Sequence, residues 1–145
     1  MSDDCKFCTF LLDGLLFGVE VLKVQEVIRS VEMTRVPLAP PVVHGLINLR
    51  GQIVTAIDLR RRLELSGRPP GQQSMNVVVR TNEELVSLLV DEIDDIREVE
   101  EEAFERPPET LKGIARELIH GVYKLKDQLL LVLDIDKAVN LSAEV

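Results

Sequence analysis

Gly45-Leu46-Ile47-Asn48-Leu49-Arg50-Gly51-Gln52-Ile53-Val54-Thr55-Ala56-Ile57-Asp58-Leu59 holds two apolar runs that meet at an Arg-Gly step, the pattern of a strand, a tight turn and a returning strand. Side chains alternate across a strand, so Ile47 and Leu49 share one face and Leu46, Asn48 and Arg50 the other. On the return, Ile53, Ile57 and Leu59 are expected to line up in the core. Glycine tolerates the positive φ such turns demand, which accounts for Gly51. Arg50 has no such reason to be there, and it stands at an exposed corner as the first candidate contact residue.

The same reading extends outward. Phe7 to Leu12 turns at Asp13-Gly14 into Leu15 to Val21, and Val24 to Val27 precedes a loop that Pro37, Pro40 and Pro41 keep out of helix. Leu59 to Leu65 fits a short helix with Arg60, Arg61 and Arg62 pointing outward. Ser66 to Gln73, with Pro69-Pro70-Gly71, is the best internal boundary. Beyond it, Asn76 to Arg80 pairs with Leu85 to Val90, and Leu118 to Leu125 with Leu129 to Leu133, while Asp134 caps a last short helix carrying Ala138 and Val139. Many short strands and tiny helices imply a mainly β protein, a barrel or a sandwich. No convincing internal repeat is visible.

Length bounds this to one domain, or two small lobes sharing a core. The hydrophobic residues are nearly all aliphatic, with four Phe, one Tyr and no Trp. No run approaches a membrane span and Met1-Ser2-Asp3-Asp4 is acidic, so a cytoplasmic protein without membrane insertion is expected. The net charge of −8 is concentrated: Asp91 to Glu105 holds nine acids against Arg97, and the rest of the chain sums to zero. A solvated connector between strands explains that run, with repulsion of partners as its functional alternative.

Enzyme chemistry lacks parts. Cys5 and Cys8 form a C-x-x-C, but a zinc site needs further ligands and only His44 and His120 are available, so no metal or cofactor is expected. Neither histidine has a nucleophile or carboxylate at triad spacing, and no glycine-rich phosphate loop exists. A small β-barrel nucleic-acid module is the competitor from another class, with Arg50, Arg60, Arg61, Arg62 and Arg68 as a basic side; the overall acidity and the scarcity of rings for stacking oppose it. An interaction protein remains. Val21, Val24 and Val27 recur at threes, with Val27 expected in the core and Val24 expected beside Glu26 in an apolar patch with a charged rim near Arg50.

Four blocks occur in a set order: Phe17-Gly18-Val19-Glu20-Val21-Leu22-Lys23-Val24-Gln25-Glu26-Val27-Ile28; the Asn48-Leu49-Arg50-Gly51 turn; Val86-Ser87-Leu88-Leu89-Val90-Asp91-Glu92-Ile93; and Ile119-His120-Gly121-Val122 leading to Leu129-Leu130-Leu131-Val132-Leu133-Asp134-Ile135. Spanning nearly the whole chain, they resemble the CheW family of bacterial chemotaxis coupling proteins. The resemblance implies one CheW-like domain over 1–145, built as two packed five-stranded SH3-like barrels with a sequence boundary near 66–75. It implies a non-enzymatic adaptor joining the tip of a methyl-accepting chemotaxis receptor to a CheA-type histidine kinase, recruited from the cytoplasm to receptor arrays. On matching positions it places Val21, Val24, Glu26, Gly45, Asn48, Arg50 and Val77 around the receptor groove, and it leaves the kinase contacts unassigned. Three departures, Thr55 for a usual proline, Ser87 for a usual glycine and Gln52 for a usual apolar residue, leave room for a variant pathway such as one controlling pili or surface movement; Thr55 is expected to alter a strand edge.

Overall fold

A computed structural model describes residues 5–29, 32–65, 74–81, 84–109 and 113–140. Its elements follow the turn chemistry. Strand β1 (Lys6–Leu12) turns at Asp13 and Gly14, both at positive φ, into β2 (Leu15–Glu20). Consecutive positive φ values make the primed turn whose twist suits a two-residue hairpin. After a 3-10 turn (Val21–Lys23) come β3 (Val24–Ile28), β4 (Val43–Leu49) and β5 (Gln52–Asp58), then α1 (Leu59–Arg62), whose N-terminal amides at Arg60 and Arg61 donate to the Asp58 carboxylate. The second half repeats this order with β9 and α2 added before its last hairpin: β6 (Met75–Thr81), β7 (Glu84–Val90), β8 (Glu92–Glu98), a two-residue β9 (Phe104–Glu105), α2 (Ile114–Leu118), β10 (Ile119–Lys124), β11 (Leu129–Leu133) and α3 (Ile135–Val139). Asp134 caps α3 as Asp58 caps α1.

Two sheets result, one in the order β8-β1-β2-β11-β10-β9 and one in the order β3-β6-β7-β5-β4. In the second, Arg50 follows β4 and donates to Glu26 in β3, so the outermost strands meet at that end and the sheet curls on itself as a small barrel does. The 66–73 boundary lies outside the described residues. Strands on both sides of it, β3 to β5 and β6 to β7, share one sheet, so the lobes do not part there. The chain changes sheet between Glu20 and Val24 and again at Asp91.

The register reveals an internal repeat that sequence inspection misses. Phe10↔Phe17 in β1·β2 recurs as Val79↔Val86 in β6·β7; the parallel pair Leu131↔Phe17 recurs as Thr55↔Val86; and the bulge between Val43 and Gly45 recurs between Ile119 and Gly121. His44-Gly45 thus corresponds to His120-Gly121, Gln52 to Gln128 and Asp58 to Asp134. Each sheet takes its first hairpin from one half of the chain and its remaining strands from the other. Aliphatic substitution elsewhere hides the match, because Val, Leu and Ile interchange freely at buried strand positions.

The main core lies between the sheets and joins Phe10, Phe17, Ile57, Leu59, Val77, Leu88, Leu131 and Ile135. Several expectations fail here. Ile53 is 62% exposed, and Val54 and Ala56 are buried in its place, because β5 is covered on both faces. Val27 is exposed while Val24 packs on the core: a bulge between Val24 and Glu26 puts Val24 beside Val79 and Val27 beside Val77 on one face, at the open edge of β3. Arg60 and Arg62 are buried and only Arg61 points out, so with Arg68 outside the described residues the basic side does not form; Phe7, Phe10, Phe17 and Tyr123 are buried as well. The acidic run is no connector. It forms β8, an outer strand whose charges guard an open edge, with Asp91 buried and Asp94 held below the usual carboxylate range by Arg97 and the Thr9 hydroxyl. Thr55 lies in a central strand, paired with Leu46 and Val86, not at an edge.

Candidate functional site

Arg50 and Gly51 have φ values of 52° and 85°, so both residues of the turn occupy the left-handed region and Arg50 is constrained by the same geometry as its neighbour. Asn48 holds the loop shut: its Oδ1 accepts from the Gly51 N–H at 2.9 Å, an Asx contact within the turn. This presents the Arg50 side chain 70% exposed, with Nη2 donating to Glu26 Oε2 at 2.5 Å. That hydrogen bond raises the Arg50 pKa above its ordinary value. Glu26 is only 24% exposed, and its Oε1 is buried without a hydrogen-bond partner among the described residues.

The remaining candidates separate into three kinds. Val21 is half-buried in the 3-10 turn and Val24 half-buried at the start of β3. Gly45 is buried for an internal reason. Thr34 and Leu46 exchange backbone hydrogen bonds at 2.9 and 2.8 Å, and a Cβ on Gly45 would stand 2.9 Å from the Thr34 carbonyl oxygen. Gly45→Ala is expected to lower the melting temperature by several degrees, from about 1–3 kcal/mol of overpacking against backbone; an unchanged thermal melt would show that the 33–34 segment yields freely. Val77, the third kind, is fully buried in the inter-sheet core and has no surface to offer.

Sequence inspection misses the exposed apolar residues here. Leu22 is 71% exposed on the 3-10 turn, Val27 41% on the edge of β3 and Ile53 62% just past the Arg50 turn. The spacing of three between Val24 and Val27 was the one available signal, since a strand keeps that spacing on one face only across a bulge. Cys8 is buried with its thiol pKa raised by desolvation, Cys5 is half-buried, and among the described residues no group of three His, Cys, Asp or Glu is placed to hold a metal ion. His44 is exposed in β4, and His120 leans on the Phe104 ring at 5.9 Å. Among the described residues no helix is long and apolar enough to cross a membrane. The arrangement is a charged pair on an apolar rim, suited to holding a partner.

Comparison with known proteins identifies the family. The chain is 31% identical over 140 residues to "Chemotaxis protein CheW" of Treponema pallidum (strain Nichols), covering 94% of this chain and 82% of that one. It is 30% identical to the protein of the same name from Bacillus subtilis (strain 168), covering 93% and 86%. The crystal structure of scaffolding protein TtCheW from Thermoanaerobacter tengcongensis matches with a TM-score of 0.82 at 28% identity, over 90% of this chain and 89% of that one. The profile of the CheW-like domain matches residues 6–143, and the chain belongs to the CheW family of chemotaxis scaffold proteins.

Proposed function

We propose that this protein couples the tip of a methyl-accepting chemotaxis receptor to the regulatory domain of a CheA-type histidine kinase, as a rigid adaptor without chemistry of its own. Family membership supports the class of function. The observation that carries the receptor site is the Arg50–Glu26 pair, with Arg50 exposed at the apex of a primed turn and Leu22, Val27 and Ile53 exposed on the elements that meet at this edge of the sheet. Apolar side chains exposed beside a charged pair fit an amphipathic helical hairpin, whose apolar stripe and acidic or basic flanks they complement. Val21, Val24, Glu26, Asn48 and Arg50 stay in the proposed site. Gly45 and Val77 support it from beneath, one by letting the Thr34 segment approach and the other by filling the core.

Arg50→Glu is expected to lower the melting temperature by only a few degrees, because an exposed ion pair contributes little to stability. Its affinity for a receptor-tip fragment drops at least tenfold, since two acids then face each other where the ion pair stood, and its affinity for the kinase domain stays as in wild type. Titration of the variant against each fragment checks this. Equal loss toward both partners would remove Arg50 from a receptor-specific site.

A further inference from the structure

The Arg60-Arg61-Arg62 run has no part in the site above, yet two of its three side chains are buried. Arg60 donates from Nε to Asp91 Oδ1 at 2.8 Å and from Nη2 to Asp91 Oδ2 at 2.5 Å, a two-pronged contact only a guanidinium makes. Asp91 Oδ2 also accepts from the Asp13 amide at 2.9 Å, the Asp91 amide donates to the Leu11 carbonyl, and the Asp13 carboxylate lies 3.9 Å from Arg60 Nη1. Arg62 donates from Nε to the Ala138 carbonyl at 2.7 Å and from Nη2 to that of Lys137 at 3.0 Å. Helix α1, which continues the five-stranded sheet, is thus tied to α3 of the other sheet and to Asp91 at the crossing between the two, which is itself hydrogen-bonded to the β1–β2 hairpin of the other sheet.

Among the described residues, the internal repeat shows that this tie is one-sided. Where the second half has Asp91, the first has Leu22, 71% exposed on the other crossing; where α1 has Arg60, α3 has the exposed Asp136. One crossing is clamped by directional, charge-assisted hydrogen bonds, and the other is a short 3-10 turn with no buried residue. Between them the sheets meet through apolar packing, which resists separation without the directionality of a hydrogen bond. We propose that α1 is the pivot of the molecule: Arg60 and Arg62 are positioning residues that fix the angle between the sheets at the Asp91 side, so that movement of one sheet relative to the other is confined to the Leu22 side. The consequence for signalling rests on the coupling function proposed above. A receptor acting at Val21, Val24 and Arg50 works at the side away from the pivot, and the pivot turns that push into a rotation of the far sheet rather than a slip.

Two variants keep the fold while loosening the pivot. Arg60→Lys with Arg62→Lys retains both charges and loses the forked contacts, and Arg60→Met with Asp91→Leu replaces the buried pair by apolar volume, which proteins often tolerate. Spin labels at Ile53 and Ile96, exposed on one sheet each, with Cys5→Ser and Cys8→Ala to remove native thiols, report the inter-sheet distance by pulsed dipolar spectroscopy in the full chain. Wild type is expected to give one narrow distance distribution and both variants a distribution at least twice as wide. In reconstitution with a receptor fragment and the kinase, the variants bind each partner within twofold of wild type and lose at least tenfold of the receptor-dependent change in kinase activity. Unchanged widths in both variants overturn the pivot. Widened distributions with intact receptor control overturn its role in transmission. A wild-type protein that binds neither partner overturns the coupling function instead, and the widths alone then judge the pivot.

Discussion

Ile57→Asp unfolds the protein at ordinary temperature, whereas Ile53→Asp, on the same strand, leaves the melting temperature nearly where it was. Ile57 is 2% exposed and packs among Phe10, Leu59, Val77, Leu88 and Leu133, side chains drawn from both sheets. A carboxylate there is set among apolar side chains, and an unpaired buried charge costs several kcal/mol beyond the lost apolar contacts. A domain of this size has roughly 5–15 kcal/mol in total, so one substitution removes much or all of it. Ile53 is 62% exposed, and an aspartate there keeps its water, with an effect within about 0.5 kcal/mol. Circular dichroism melts of the two variants decide the matter. Equal losses would mean that both residues face the core; a stable Ile57→Asp would mean that the inter-sheet core is not where it is described.

Arg60→Ala is expected to cost about 3–5 kcal/mol, close to the cost of Ile57→Asp although no apolar contact is central to it. Asp91 keeps 7% side-chain exposure and loses both of its guanidinium bonds, leaving the Asp13 amide as a remaining donor to a buried charge. For a chain of this length that corresponds to a fall in melting temperature of roughly 10 °C or more. Adding Asp91→Leu to Arg60→Ala should recover more than half of the loss, because the stranded charge goes with it. Melts of the single and double variants form the test. A double variant no better than Arg60→Ala would show that the loss came from packing of the long arginine stem and not from the pair.

Turn chemistry made much of the fold legible in advance. Asp13-Gly14, Arg50-Gly51 and the caps at Asp58 and Asp134 are local, and a short stretch of sequence contains all the physics that decides them. What escaped depends on partners distant in sequence. A bulge at Val24 shifts the phase of β3 without a compositional mark, and Ile53 stands at the turn end of β5, past the reach of the core, so Val27 and Ile53 were assigned to the core and surfaced. Arg60 and Arg62 look solvent-facing until Asp91 and the α3 carbonyls are brought to them. The acidic run reads as a connector because charge opposes strand propensity, yet pairing with β1 along one side only lets Glu92, Asp94 and Glu98 stay wet. Of the candidate site, Arg50 and Glu26 were placed together from their residues and family resemblance, and the structure joins them directly; Val77 was misplaced because a valine-rich strand offers no sign of which face is covered.

The most direct measurement of the adaptor function is a sequential titration by calorimetry, in which the protein is saturated with the kinase regulatory domain and then titrated with a receptor-tip fragment from the same genome. The coupling function predicts that both bind, and that saturation with the first changes the affinity for the second by less than tenfold, since Arg50 and its neighbours remain free. Failure to bind the receptor fragment, alone or after the kinase domain, would contradict it.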